Sequence, residues 1–195
     1  MADKFKNKYR ISSTRLKSWD YASKAAYFIT ICTQNREHFF GEIRNGEMIL
    51  SEIGEIAINE WLKTIELRED MNIEIGEFVV MPNHFHAIII IGDNNYNNNI
   101  SNINNRLPKN QFGPQSKNLA SIIRGFKSSI TTHARKMGNT KFLWQPLYHD
   151  HIIRDSQSFD RIQKYIENNP KNWKEDKFHL RSISTDAKHG VSTGK

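Results

Sequence analysis

The alternation of apolar and polar positions divides the chain into strands and helices of clear period. Ala26-Tyr27-Phe28-Ile29-Thr30-Ile31-Cys32-Thr33 is dense in aromatic and β-branched residues and predicts a central strand. Ile43 to Leu50 carries Asn45-Gly46 between apolar residues, the strongest short-range sign of a tight hairpin. From the capping residue Ser51, apolar side chains recur at Ile53, Ile56, Ala57, Trp61 and Ile65, which is helical spacing. Ile73 to Val80 alternates as a strand and leads through Met81-Pro82-Asn83 into His84-Phe85-His86-Ala87-Ile88-Ile89-Ile90-Ile91. These two strands are expected to pair antiparallel, because the connection is too short for a crossover. The four isoleucines mark the second of them as a buried, central strand.

Residues 93–117 read as a long Asn-rich loop, with nine asparagines between Asn94 and Asn110. Asn118 is placed to cap a helix whose buried stripe is Leu119, Ile122, Ile123, Phe126, Ile130 and Met137, with Gly138 as the stop. Phe142 to Arg154 predicts an edge strand broken in its first half by Pro146. Ser158 is expected to cap a last helix with Phe159, Ile162 and Ile166 inward, closed by Pro170. Residues 1–24 show no sustained periodicity and form a basic N-terminal arm, and residues 179–195 a flexible polar tail. The expectation is one domain over residues 25–178. Its element order and short connections give an α+β fold, a ferredoxin-like antiparallel sheet with helices packed on one face.

Composition changes the picture in two respects. The mean hydropathy of −0.66 is low, yet 11 Phe, 4 Trp and 6 Tyr supply a core, which argues against a disordered chain. The net charge is +7 and unevenly spread: residues 41–77 carry ten acidic and three basic side chains, residues 106–154 nine basic ones and the single acid Asp150. A polyanionic partner, nucleic acid, fits that distribution better than general solubility does. Arg124, Lys127 and Arg135, with Ser128 and Thr131, line the polar face of the second helix and are candidates for a phosphate backbone. The single cysteine, Cys32, excludes an internal disulfide and a cysteine-based zinc site, and within an apolar strand it reads as a core residue. There is no apolar run of the roughly 20 residues a membrane span needs, and the first residues lack the apolar stretch of a secretory signal. A soluble, cytoplasmic protein with no membrane partner is expected.

The candidate chemistry begins with His84 and His86. In a strand, residues two apart share a face, so two imidazoles stand side by side on a rigid element and offer a partial ligand set for a divalent cation. A second pair, His149 and His151, has the same spacing, and spacing alone does not say which pair binds metal. Tyr165 and Asn169 lie four apart on the last helix and project together beside its apolar stripe.

Several blocks in order carry a resemblance. They are Tyr27-Phe28-Ile29-Thr30-Ile31-Cys32-Thr33, Met81-Pro82-Asn83-His84-Phe85-His86 with its isoleucines, Leu143-Trp144-Gln145, Tyr148 to Arg154, and Tyr165-Ile166-Glu167-Asn168-Asn169-Pro170. From about Tyr9 to Phe178 the chain resembles the single-tyrosine transposases of the HUH endonuclease superfamily, most of all the REP-associated tyrosine transposases. The resemblance implies that His84 and His86 bind Mg²⁺ or Mn²⁺, with Asn169 as a third, amide-type ligand. It makes Tyr165 the nucleophile that attacks single-stranded DNA and forms a 5′-phosphotyrosine intermediate, so that strands are cleaved and rejoined. It also implies a ferredoxin-like fold and recognition of hairpin-bearing DNA repeats, and it allows a homodimer. His149, His151 and Arg154 acquire no ligand role from it and stand as DNA-contacting candidates.

Two other readings are weighed against this transposase and endonuclease. A nucleic-acid-binding module of the same fold that has lost its chemistry requires none of His84, His86, Tyr165 and Asn169, and all four are present. A third reading is a metal-dependent hydrolase using both His-x-His pairs.

Overall fold

The computed structural model describes residues 4–5, 8–9, 16, 18–97 and 116–179. In chain order the elements are β1 (Lys4–Phe5), β2 (Lys8–Tyr9), β3 (Ala25–Cys32), β4 (Gly41–Arg44), β5 (Glu47–Leu50), α1 (Glu52–Glu66), β6 (Ile73–Met81), β7 (His84–Ile91), α2 (Leu119–Lys136), β8 (His149–Ile153) and α3 (Ser156–Asn168). Within the N-terminal arm β1 and β2 pair as a short antiparallel ladder. Most of the Asn-rich loop and the tail beyond His179 lie outside the described residues.

β3, β6, β7 and β8 form one antiparallel sheet in the order β6-β7-β3-β8. Two interleaved units, β3-α1-β6 and β7-α2-β8, give that order, which is the ferredoxin-like topology expected. The histidine strand β7 is central and pairs with β6 through the short Pro82-Asn83 turn. β4 and β5 make the separate hairpin. Asn45 and Gly46 both have positive φ there, 53° and 81°, as a tight type I′ turn requires.

Strand alternation sends the two faces of the sheet to different helices. Tyr27, Ile29, Ile31, Phe85, Ala87, Ile89 and Ile91 enter the main core with Trp61 of α1 and Ile122, Phe126 and Ile130 of α2. The other face carries Phe28, Val79, Ile88 and Ile90, packed with Ile153 and with Phe159, Ile162 and Ile166 of α3. The expectation of helices on one face therefore holds for α1 and α2; α3, which follows the fourth strand, covers the opposite face. His84 and His86 are in register with Ile88 and Ile90, so they point toward α3.

Helix starts follow local chemistry. Ser51 Oγ accepts from Gly54 N at 3.1 Å, and Asn118 and Ser121 form a reciprocal capping box at the start of α2. For α3 the cap is Asp155 and not Ser158: Asp155 Oδ1 accepts from Ser158 N at 2.7 Å. The apolar period begins only at Phe159, so it is silent about the polar first turn that precedes it. Ile65, expected inward, is exposed, and the inward position in the last turn of α1 belongs to Thr64, whose hydroxyl donates to Glu60 O. The strand expected from Phe142 shrinks to β8, and the residues before it are joined to the sheet by an isolated Thr33 to Trp144 bridge.

Phe85 sits between the two histidines in sequence and on the opposite face in space, fully buried against Trp61 and Phe126 at ring-centroid distances of 5.1 and 5.0 Å. Its truncation to alanine leaves a cavity beneath the site. Phe85→Ala is expected to lower the unfolding free energy by about 3–5 kcal/mol in urea titration.

Candidate active site

The hairpin turn that launches β7 is fixed from several sides. Asn83 O accepts from both Thr33 N and Thr33 Oγ1, and Pro82 O accepts from Phe40 N. The Asn83 amide nitrogen donates to Phe178 O at 2.9 Å and to Arg36 O at 3.3 Å, which fixes its amide oxygen toward His84. That oxygen lies 2.9 Å from His84 Nδ1 and can only accept. His84 therefore carries its proton on Nδ1, and Nε2 presents a lone pair. His84 Nε2 is buried and has no hydrogen-bond partner.

His86 is held by register. It pairs across the sheet with Thr30, whose Oγ1 is 2.8 Å from His86 Nδ1, and the Tyr165 hydroxyl is 3.3 Å from His86 Nε2. Phe28 packs against the rings of both His86 and Tyr165 and sets the angle between them. The two imidazoles face each other with centroids 4.5 Å apart, and Phe178 closes over them at 4.7 and 5.7 Å.

Burial dominates the electrostatics. It drives the His84 pKa well below the usual imidazole range, helped by His86 and Arg36 and opposed by the Asn169 amide, and it brings His86 down to about 3. Both rings are neutral at physiological pH, the form that ligates metal. Burial also raises the Tyr165 phenol above its ordinary value, and the Asp176 carboxylate adds to the rise while Asn169 opposes it.

α3 delivers Tyr165 and Asn169 to one cleft, as their spacing predicted. Tyr165 is 41% exposed and reaches in from the rim; Asn169 is buried at 2%. The Asn169 amide nitrogen donates to Asp176 Oδ2 at 3.1 Å, so its oxygen is turned elsewhere, buried and without a partner. The cleft holds about 500 Å³ and is lined by Thr30, His86, Tyr165, Asn169, Asp176 and Lys177 among others.

A divalent cation fits this donor set. Two orphaned buried acceptors, His84 Nε2 and Asn169 Oδ1, are costly unless something electrophilic meets them. One ligating atom each from His84, His86 and Asp176 lie within 4.8 Å of one another. The sequence reading missed Asp176, which follows the short turn Trp173–Glu175 in a polar stretch with no period to single it out. Thr30 and Asn83 were missed as well; Asn83 precedes His84 directly, but the role of Thr30 needs the register.

The candidates for DNA contact separate. β8 pairs Thr30 with His149 and Phe28 with His151, so both exposed histidines share the face of His86, with β3 between. That places His149 two strands from His86, and neither His149 nor His151 belongs to the cluster of ligating groups formed by His84, His86 and Asp176. Exposed Arg154 follows at the end of the same strand. Exposed Arg124 and Arg135 ride on α2, in the layer across the sheet from the cleft. Lys127 donates to Gln145 O and Leu147 O at 2.7 and 3.0 Å, and burial lowers its pKa to about 8. It anchors the segment before β8. The single basic surface expected along Arg106 to Arg154 is thus divided by the sheet, and Arg106 lies outside the described residues.

No family model matches the chain. A Haemophilus influenzae protein described as uncharacterized is 39% identical over 171 residues, 86% of this chain and 92% of its own length. Among solved structures, a REP-associated tyrosine transposase bound to a REP hairpin superposes with a TM-score of 0.54 at 20% identity, covering 83% of this chain and 74% of that one. This likeness establishes the fold. No helix among the described residues is long and apolar enough to cross a membrane.

The depressed histidines also link stability to pH. Below about pH 6.5 the unfolded chain binds protons that folded His86 refuses until about pH 3, so stability is full above 6.5 and falls as pH drops through that window. The thermal midpoint of the metal-free protein is expected to fall between pH 7 and pH 5, and His86→Gln should flatten part of that slope in differential scanning calorimetry.

Proposed function

The chain belongs to the same family as the Haemophilus influenzae protein and has the fold of HUH-type transposases, and on that footing we propose that it is a metal-dependent single-stranded DNA transposase and endonuclease. One observation carries the reading. The Tyr165 hydroxyl lies 3.3 Å from His86 Nε2 in the cleft, where Asn169 Oδ1 has no hydrogen-bond partner and the adjoining His84 ring leaves Nε2 unpartnered as well. A nucleophile beside a set of unpartnered metal donors is what phosphoryl transfer through a protein-bound intermediate requires.

His84, His86 and Asn169 would hold Mg²⁺ or Mn²⁺. Bound there, the cation supplies Lewis acidity that stabilises charge on the phosphate oxygens. In the protein's part of the reaction, Tyr165 Oη loses its proton and forms a bond to the scissile phosphorus, while the bond from phosphorus to the 3′ oxygen breaks. The leaving oxygen takes up a proton and becomes a free 3′ hydroxyl, and the 5′ phosphate stays on Tyr165. The energy of the phosphodiester is conserved, so the strand can be rejoined without a nucleotide cofactor. Thr30 orients His86, and Asn83 keeps His84 in the tautomer with Nε2 open.

DNA bearing a hairpin, as in the solved transposase complex, is the proposed substrate. His149, His151 and Arg154 are the candidates on the cleft face, and Arg124 and Arg135 would extend contact only to a strand that wraps the edge of the sheet. Binding is expected to weaken with salt, with each neutralised phosphate adding about 0.7 to the log–log slope. His149→Ala/Arg154→Ala should reduce affinity in fluorescence anisotropy more than Arg124→Ala/Arg135→Ala does.

Incubation with Mn²⁺ and single-stranded hairpin DNA labelled 3′ of the cut is expected to yield a covalent protein adduct on a denaturing gel, mapping to Tyr165. Tyr165→Phe should abolish it while keeping fold and DNA affinity. An adduct in the Phe variant, or cleavage by wild type with no protein attached, would remove Tyr165 as nucleophile.

A further inference from the structure

Asp176 lies outside every motif the sequence offered, yet it lines the cleft. Its Oδ1 accepts from Phe178 N at 2.6 Å, and its Oδ2 accepts from the Asn169 amide at 3.1 Å and more distantly from Tyr165 Oη at 3.5 Å. These bonds aim the carboxylate without neutralising it. Among the described residues it forms no ion pair.

The carboxylate shares one cluster with two buried imidazoles, one of them with an orphaned Nε2, and holds by its nitrogen the Asn169 amide, whose oxygen is orphaned as well. Three electron-rich groups thus converge on one spot beside the Asn169 amide, an arrangement that is electrostatically unfavourable unless a cation meets them. A carboxylate in that position also changes what the site prefers. Two imidazoles and an amide oxygen are a neutral set, to which Asp176 adds the formal negative charge and the hard oxygen that Mg²⁺ and Mn²⁺ favour.

We propose that Asp176 is an anionic ligand of this metal centre, completing a set of two nitrogens and two oxygens with His84, His86 and Asn169. The inference rests on the reading of the cleft as a metal site. In this arrangement Asp176 has two jobs: it orients the Asn169 oxygen by accepting from its nitrogen, and it binds the ion with a remaining lone pair. It also ties the turn after α3 to the ion, so that Tyr165 and the metal are positioned by one continuous segment of chain from α3 to Phe178.

The test measures Mn²⁺ affinity of the full chain without DNA, from the loss of the free-ion signal in electron paramagnetic resonance. Asp176→Asn keeps the shape and removes the charge. Glu175→Gln removes the same charge from a neighbouring position that also lines the cleft, and so controls for a field effect. Asp176→Asn is expected to weaken Mn²⁺ binding about tenfold or more, Glu175→Gln to leave it within about threefold, and Asp176→Glu to recover part of the loss. Thermal unfolding of each variant, run in parallel, identifies loss of fold, and the Glu variant keeps the comparison meaningful if the Asn variant is destabilised. Equal losses for Asp176→Asn and Glu175→Gln, or no loss for Asp176→Asn, overturn ligation by Asp176. His84→Ala/His86→Ala separates the two levels: if it abolishes binding while Asp176→Asn does not weaken it, this inference alone fails, and if it binds Mn²⁺ as wild type does, the metal reading of the cleft fails and takes the inference with it.

Discussion

The side-chain amide of Asn83 is the contact on which the site depends. Two carbonyls, from Arg36 and Phe178, take its nitrogen, and its oxygen takes the proton of His84 Nδ1. A buried imidazole without a fixed partner would choose its tautomer by chance of packing; here the choice is made by an acceptor that cannot donate. The same amide joins the β6–β7 turn to the loop after β3 and to the segment after α3. Three stretches distant in sequence therefore meet at one residue, and the nitrogen of His84 that remains, Nε2, is the unpartnered one.

Burial does the rest of the electrostatic work. It keeps both histidines neutral and the Tyr165 phenol protonated, the states that the proposed metal ligands and resting nucleophile require. The three groups are moved in the same energetic direction, away from charge; a divalent cation on the imidazole lone pairs would keep the histidines unprotonated and would oppose burial at the phenol by lowering its pKa. The sheet supports this from behind: Phe85 fills the core directly opposite the histidines, against Trp61 and Phe126, so the strand that carries the pair cannot roll.

The sheet also divides the protein's charge. β8 carries His149 and His151 on the side of the cleft, while α2 carries Arg124 and Arg135 on the far layer. Lys127 is engaged with two carbonyls beside Trp144 and holds the approach to β8 in place. Charge that is contiguous in sequence is thus assigned partly to architecture and partly to two separate surfaces.

Local pattern was enough for the strands β3, β6 and β7, for the Asn45-Gly46 hairpin and for the caps Ser51 and Asn118, because each depends on residues within a turn or a strand repeat. It also placed His84 beside His86 and Tyr165 beside Asn169, since period two and period 3.6 decide which side chains share a face. The α+β, ferredoxin-like class followed from element order and connection lengths. What the sequence could not decide was which groups from different elements meet. The side of the sheet taken by α3, the pairing of Thr30 with His86, the distance between the two His-x-His pairs and the arrival of Asp176 in the cleft are set by register and by the path of the chain after Pro170. Those are properties of long-range packing, in which a one-residue shift of a strand turns every side chain to the other face, and no local period records them.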